Sequence, residues 1–279
     1  MKAFKFSLSE YDNTISDYPK VRAYLHEEHW KLGNRVYPAI VVLPGGGYSS
    51  TSEREAEPVG IKFFGEGFNV FILDYTVKDY GKVFPNALRE CACLIALIRK
   101  NAKEWLCDEN KVSVIGFSAG GHLASSIATR FSDPVLGEYK DIARPNLAVL
   151  AYPVILSGKY AHLGSFVSLT GTEDEEEHKI HDTNSYVTEN TPPVFIFHTA
   201  DDDVVPVQNT LVFAKALADN KVKFECHVYE SGVHGLSLAN EVTKTTTEHD
   251  NQVNPRVEEW FRDCLRFMKA NGMTIELKK

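Results

Sequence analysis

The stretch Lys111-Val-Ser-Val-Ile-Gly-Phe-Ser-Ala-Gly-Gly121 joins an apolar, β-branched run directly to a Gly-x-Ser-x-Gly-Gly turn. Such a junction is typical of a nucleophile elbow, in which a strand ends in a sharp turn and a helix follows at once. Gly116 and Gly120 have no side chains, so strand and helix can pass close to each other at the corner. The pattern predicts a strained Ser118 with its hydroxyl at the positive end of the helix. A Gly-rich turn that carries a serine by chance is the alternative.

A glycine loop follows a second apolar run. Residues 39–43 have the length and composition of a strand, and they lead into Pro44 and three successive glycines. Because no side chains shield them, the N–H groups of Gly46 and Gly47 can close on an oxyanion. The N–H of Ala119, which follows the serine, is the other expected donor. A simple Pro-Gly turn is the alternative.

Three aspartates follow a third apolar run. Residues 194–198 have a buried-strand pattern, and Asp201, Asp202 and Asp203 come just after it. A carboxylate at this place, past a strand end and before a helix, is where the acid of a Ser-Asp-His triad lies. The spacing from His198 and to the Val-Pro pair at 205–206 favours Asp202. The other two are expected to be solvated loop charges or carboxylates at a helix N-terminus.

The base is selected from ten histidines. His234 lies in a Gly-flanked loop directly after the strand-like residues 224–229, and it completes the chain order Ser, Asp, His. His122 and His198 are expected to support the site by hydrogen bonding. The remaining histidines are interpreted as surface or packing residues, and these are His26, His29, His162, His178, His181, His227 and His249.

Five stretches of the chain carry a wider pattern: Leu43-Pro-Gly-Gly-Gly-Tyr48, Ser52-Glu-Arg-Glu-Ala-Glu-Pro58, Gly116-Phe-Ser-Ala-Gly-Gly-His122, Thr199-Ala-Asp-Asp-Asp-Val-Val-Pro206 and Ser231-Gly-Val-His-Gly235. On these residues the sequence resembles the α/β-hydrolase esterases of the acetyl esterase and acetylxylan esterase type, which are related to the HGGG-bearing, hormone-sensitive-lipase group. The resemblance covers roughly residues 35–270. Pro44 stands where the related esterases have a histidine, so the work of that histidine is done otherwise or is not needed.

The alternation of strand and helix patterns predicts an α/β fold, a mainly parallel sheet with helices on both faces. Residues 4–8 and 21–25 are expected to form two N-terminal strands, for which an antiparallel pairing is one option. The resemblance implies an α/β-hydrolase fold with eight strands, a single domain over 1–279, and a small cap insertion at 156–191. Within that segment, Thr172 and Glu175 would form a capping box. One long C-terminal helix is expected from an N-cap at Asn254 to Gly272.

Composition limits the partners of the protein. The net charge of −8 argues against nucleic acid and anionic membranes. No apolar run approaches the ~20 residues of a membrane span. The first residues lack the apolar core of a signal peptide, so a cytoplasmic location is expected. The five cysteines are expected to be free thiols, because Cys91 and Cys93 are too close on one helix for a disulfide. A homodimer is the commonest assembly.

The residues therefore predict a serine hydrolase that forms an acyl-enzyme on Ser118 and uses no cofactor or metal. The resemblance implies a carboxylesterase for short acyl esters, acetyl esters of sugars in particular. Tyr48, Tyr75 and Tyr152 are candidates for the walls of its substrate pocket. Three alternatives stay open: a serine peptidase or amide hydrolase of the same fold, another acyl hydrolase such as a lactonase or arylformamidase, and a non-catalytic binding protein on this scaffold.

Overall fold

The computed structural model describes residues 1–31, 33–245 and 252–277. At its centre lies a sheet with the strand order β1-β2-β4-β3-β5-β6-β7-β8, in which the six strands from β3 to β8 run parallel. β1 and β2 pair antiparallel at one edge, as the sequence predicts. The strands are β1 (Lys2–Ser7), β2 (Lys20–Leu25), β3 (Arg35–Leu43), β4 (Asn69–Asp74), β5 (Cys107–Phe117), β6 (Leu147–Ala151), β7 (Val194–Thr199), β8 (Phe224–Tyr229) and β9 (Glu276–Leu277).

The predicted count of eight strands is wrong by one within the described residues. The short β9 pairs antiparallel with the first two residues of β3, Arg35 and Val36. It was not expected because two residues have no periodicity to detect. It can form because β3 begins before its apolar run, so that Arg35 and Val36 are free to pair. β4 ends at Asp74. β6 ends at Ala151, and the next residue, Tyr152, turns the backbone to a positive φ of 37°.

Helices cover both faces of the sheet, as predicted. Along β3, Ala39 and Val41 point to one apolar core while Ile40 and Val42 point to the other, because successive side chains of a strand alternate. α2, α3 and α6 pack on the first face, and α1, α7 and α8 pack on the second. The helices are α1 (Glu57–Gly65), α2 (Val83–Lys100), α3 (Ala119–Thr129), α4 (Leu163–Thr170), α5 (Glu175–Lys179), α6 (Gln208–Asp219), α7 (Pro255–Glu258) and α8 (Trp260–Ala270).

Two local predictions need correction. The expected C-terminal helix is interrupted at Glu259 and forms α7 and α8, although Asn254 caps it as predicted by accepting from the N–H groups at 256 and 257. The expected capping box does not form, because α5 begins at Glu175 and its N-cap is Asp174, whose carboxylate accepts from the N–H of Glu176. The N-cap of α5 is therefore Asp174, and not Thr172 as predicted.

The 156–191 segment leaves the sheet after β6 and returns to it at β7, and it contains α4 and α5. It is tied to α3 by a hydrogen bond between the hydroxyls of Ser125 and Thr183, and by a bond between the His122 ring and the carbonyl of His181. The segment therefore lies against the helix that starts at Ser118.

Candidate active site

Ser118 occupies a sharp corner between β5 and α3. Its backbone has φ 54° and ψ −117°, an uncommon conformation for a residue with a side chain. A Cβ on Gly116 would lie 2.0 Å from the carbonyl oxygen of Gly120, and one on Gly120 would lie 2.1 Å from that of Leu43. Only glycine fits at either position, so the strand-to-helix turn has the strain and close approach that the sequence predicts.

Three side chains from separate loops meet at this corner. Nε2 of His234 lies 2.9 Å from Oγ of Ser118, and Nδ1 of His234 lies 2.7 Å from Oδ2 of Asp202. Because a carboxylate only accepts hydrogen bonds, Nδ1 carries the proton and Nε2 is left to accept from the serine hydroxyl. Ser118, Asp202 and His234 follow β5, β7 and β8, whose carboxyl ends share one edge of the sheet.

The middle aspartate is the one that reaches the histidine. Asp202 is buried, whereas Asp201 and Asp203 are exposed. The Asp201 carboxylate instead accepts from the Ser231 hydroxyl and from the N–H of Gly232, 2.6 and 2.8 Å away. Asp201 thus anchors the loop that carries the histidine, a contact that the sequence does not reveal.

The surroundings of Asp202 keep it ionised. Its Oδ1 accepts from the N–H groups of Val204 and Val205, at 3.0 and 2.9 Å. Nε2 of His198 lies 3.2 Å from Oδ2. Burial alone would raise the pKa of the Asp202 carboxyl, but the hydrogen bonds from His198 and His234 hold that pKa well below its usual range. A negative charge therefore remains beside the imidazole throughout the neutral pH range.

The glycine loop lies directly beside Ser118. A Cβ on Gly45 would be 3.1 Å from Cβ of Ser118, and Gly46 and Gly47 have positive φ angles of 127° and 63°. Within the described ranges, no residue accepts a hydrogen bond from the N–H of Gly46, Gly47 or Ala119. These three N–H groups are therefore unpaired, and their role as oxyanion donors stays a prediction.

Glu55 and Tyr75 hold the start of the glycine loop. This start is the position at which the related esterases have a histidine. Tyr75 donates its hydroxyl to the carbonyl of Pro44, and the Glu55 carboxylate accepts from the N–H of Gly45 at 2.9 Å. The other Glu55 oxygen accepts from the Tyr152 hydroxyl at 2.6 Å, and that hydroxyl accepts from the N–H of Ser237. Glu55 therefore couples the glycine loop to the loop of His234. Sequence reasoning missed it, although it lies within the Ser52–Pro58 stretch.

The three candidate wall tyrosines are buried. Tyr48, Tyr75 and Tyr152 are only 1%, 0% and 3% exposed, and each hydroxyl bonds to the protein. The Tyr48 hydroxyl lies 2.8 Å from Nδ1 of His122, and the Tyr152 ring centre lies 5.1 Å from that of His234. These contacts give the tyrosines a positioning role, and direct contact with substrate stays a prediction.

Three of the remaining histidines lie at the site. His122 bonds to Tyr48 and to the carbonyl of His181, and burial lowers its pKa to about 4. His198 bonds to Thr210 and contacts Asp202. His162, interpreted from the sequence as a surface or packing residue, packs beside Gly47, with its Cε1 3.7 Å from where a Cβ on that glycine would be. No local signal separates it from the other histidines.

All five cysteines are free, and four of them are buried. No helix in the described part of the chain is long and apolar enough to cross a bilayer.

Comparison with known proteins adds the family. Residues 29–149 match the family model BD-FAE. The chain is 37% identical over 237 residues to endo-1,4-beta-xylanase B of Butyrivibrio fibrisolvens, covering 83% of this chain and 36% of that protein. It is 32% identical over 209 residues to an acetylxylan esterase of Xylanibacter ruminicola, covering 72% of this chain and 41% of that protein. The chain thus spans about two fifths or less of the length of these curated relatives.

A solved structure matches along nearly its whole length. The acetyl ester-xyloside bifunctional hydrolase from Caldicellulosiruptor lactoaceticus superposes with a TM-score of 0.82 at 33% identity, and the match covers 97% of each chain. The sheet order, the elbow and the Ser-His-Asp arrangement define an α/β hydrolase. Within that class, the chain belongs to the carboxylesterases of the acetyl esterase and acetylxylan esterase type.

Proposed function

We propose that the protein is a serine carboxylesterase that removes short acyl groups, acetyl in particular, from sugars such as xylo-oligosaccharides. The observation that carries the proposal is the hydrogen-bonded chain from Ser118 through His234 to Asp202, beside three unpaired N–H groups. The relatives named acetylxylan esterase and acetyl ester-xyloside hydrolase support the substrate class.

In the first half of the reaction the serine is acylated. A hydroxyl is a weak nucleophile at neutral pH, so Nε2 of His234 takes the Ser118 proton as Oγ attacks the ester carbonyl. Asp202 orients the imidazole and stabilises its cation. The N–H groups of Gly46, Gly47 and Ala119 hold the developing oxyanion, and each donor lowers the barrier by roughly 3 kcal/mol. His234 then protonates the sugar oxygen, the C–O bond breaks, and the alcohol leaves.

In the second half, water regenerates the enzyme. His234 removes a proton from a water molecule that attacks the acyl-serine carbonyl, and the same N–H groups hold the second oxyanion. The bond to Oγ of Ser118 breaks, Oγ takes the proton from His234, and the carboxylic acid leaves. Every proton is moved by His234, so the residues of the chain account for both steps.

The surroundings of the serine support a short acyl group. Val154, Phe166 and Val205 form a small buried apolar cluster. Its first member donates its N–H to the carbonyl of Ser118, and its last donates to Asp202. Residues of the 156–191 segment contribute to this cluster, and we propose that the segment is the cap of a single domain. A small acyl group such as acetyl suits a cluster of this size.

Initial rates on a p-nitrophenyl ester series from acetate to decanoate, with acetylated xylo-oligosaccharide alongside, test the proposal. The expected result is fast turnover of acetate and of the acetylated sugar, a steep decline with chain length, and loss of all activity in Ser118→Ala, which keeps its melting temperature. Activity near that of the wild type in Ser118→Ala would overturn the mechanism. A folded protein that cleaves no ester would favour an amide hydrolase, a peptidase or a binding role.

Location and assembly complete the proposal. We further propose that the protein acts in the cytoplasm and that it forms a homodimer. Cell fractionation and light scattering of the purified protein test the two.

A further inference from the structure

The side chain of His162 lies at the site but has no part in the proposed reaction steps. His162 directly precedes α4 in the 156–191 segment and is half-buried. A Cβ on Gly47 would lie 3.7 Å from Cε1 of His162 and 3.8 Å from Oγ of Ser165. The imidazole therefore lies close to Gly47, whose unpaired N–H is one of the proposed oxyanion donors. No atom of the histidine is needed for the transfer of a proton.

The ring of His162 is held in place from one side. Its Nδ1 lies 2.7 Å from Oγ of Ser165, a residue that is 1% exposed, and the N–H of Ser165 donates to the carbonyl of His162. Cε1, the His162 atom that lies near Gly47, separates the anchored Nδ1 from Nε2. None of the residues that the structure places bonds to this Nε2.

The charge state of His162 suits a neutral partner. Burial lowers the pKa of His162, and the nearby His234 lowers it further, although Asp202 acts in the opposite direction. The ring is therefore uncharged at neutral pH. A neutral imidazole offers Nε2 either as donor or as acceptor, depending on its tautomer, and a hydroxyl can pair with both.

The acyl group does not provide that partner. An acetyl group has one polar atom, the carbonyl oxygen, and the three unpaired N–H groups of the proposed oxyanion hole are available to it. Its methyl forms no hydrogen bond and needs only apolar contacts. The polar edge of His162 is thus matched to the alcohol half of the substrate.

We propose that His162 binds a free hydroxyl of the sugar next to the acetylated oxygen, and so selects carbohydrate esters over simple ones. The inference rests on the proposed function and deepens it by assigning recognition of the sugar to the 156–191 segment. Ser165 acts through His162, because it fixes the orientation of the ring.

The test compares kcat and KM on two substrates, an acetylated xylo-oligosaccharide and p-nitrophenyl acetate, which has no sugar hydroxyl. His162→Ala is expected to raise KM for the sugar substrate up to about tenfold, which corresponds to about 1.4 kcal/mol, the upper end of the range for one hydrogen bond. Its kcat on the sugar, and both constants on p-nitrophenyl acetate, should change less than about threefold, because the lost bond is made equally in ground and transition states.

Two further variants keep the test decisive. Ser165→Ala removes only the hydroxyl that holds the ring and should raise KM on the sugar by a smaller factor in the same direction. Leu163→Ala is the matched control, because Leu163 is the adjacent residue, is 55% exposed and should leave both substrates unaffected.

The outcomes separate the two proposals. Equal losses on both substrates, or an unchanged KM for the sugar in both His162→Ala and Ser165→Ala, overturn the role of His162 and leave the esterase intact. A wild-type protein that cleaves p-nitrophenyl acetate but not the acetylated sugar overturns the carbohydrate substrate together with the role of His162.

Discussion

Replacement of Asp202 by asparagine should disable the base without disturbing the fold. Oδ1 accepts from the N–H groups of Val204 and Val205, so the amide oxygen of Asn is expected to take that place. The amide nitrogen then faces Nδ1 of His234, where Oδ2 stood 2.7 Å away. Because an NH₂ group donates, Nδ1 must accept, and the proton of the neutral ring moves to Nε2. Nε2 can then no longer accept the proton of Ser118.

The expected loss is large because the wrong tautomer removes general-base catalysis altogether. A triad with its aspartate changed to asparagine loses about 10⁴-fold in kcat, which corresponds to about 5 kcal/mol of barrier. Initial rates on p-nitrophenyl acetate measure the loss, and circular dichroism with thermal unfolding establishes that the variant is folded.

Asp201→Asn and Asp203→Asn are matched controls, since each removes the same charge from a neighbouring exposed residue. Asp203→Asn should be neutral. Asp201→Asn can keep one of its two bonds to the histidine loop, and its activity should fall less than about tenfold. A greater loss in either control than in Asp202→Asn, or more than a tenth of wild-type activity in Asp202→Asn, would refute the assignment.

Three more outcomes are expected from thermal unfolding. Gly120→Ala should lower Tm and activity together, because its Cβ would lie 2.1 Å from a backbone oxygen. Gly65→Ala is the control and should be neutral, since no atom lies within 4 Å of its Cβ position. Equal effects of the two changes would contradict the close approach at the elbow. Glu55→Ala should cost roughly 2–4 kcal/mol, since it leaves the N–H of Gly45 and the Tyr152 hydroxyl buried and unpaired, and a variant as stable as wild type would contradict this. Burial lowers the pKa of His122 from 6.5 to about 4, so the unfolded chain binds more protons than the folded one between these pH values. The stability of the fold should therefore fall as the pH drops through that range. The decline should be smaller in His122→Gln, and equal declines in the variant and the wild type would contradict this role of His122.

Elements with a strong local pattern could be predicted from the sequence. The junction of β5 and α3 is an example, because an apolar β-branched run, two glycines and a serine define both the strand and the turn that ends it. The same holds for the two N-terminal strands and for the Asn254 cap. The middle aspartate could also be selected, because its spacing from His198 and from the following Val-Pro pair is local.

Contacts between distant parts of the chain could not be predicted in this way. Glu55 bonds to Tyr152, which is far away in sequence. A glutamate within a run of charged residues has the sequence pattern of a surface residue. The contact of His162 with Gly47 could not be predicted for the same reason, because the two residues are far apart in sequence. β9 was missed because two residues have no periodicity to detect, and the break at Glu259 leaves the apolar stripe of the C-terminal helices unchanged.

The sequence by itself determined the class of fold, the serine at the elbow and the order of the three candidate catalytic residues, because hydrophobic period, turn chemistry and chain order are properties of neighbouring residues. Only the tertiary structure decided that Glu55 ties the glycine loop to the histidine loop, and that His162 lies beside Gly47. Each of these depends on which strand ends and loops become neighbours in space. That is set by the packing of the whole sheet and its two helical layers, and no short stretch of the chain encodes it.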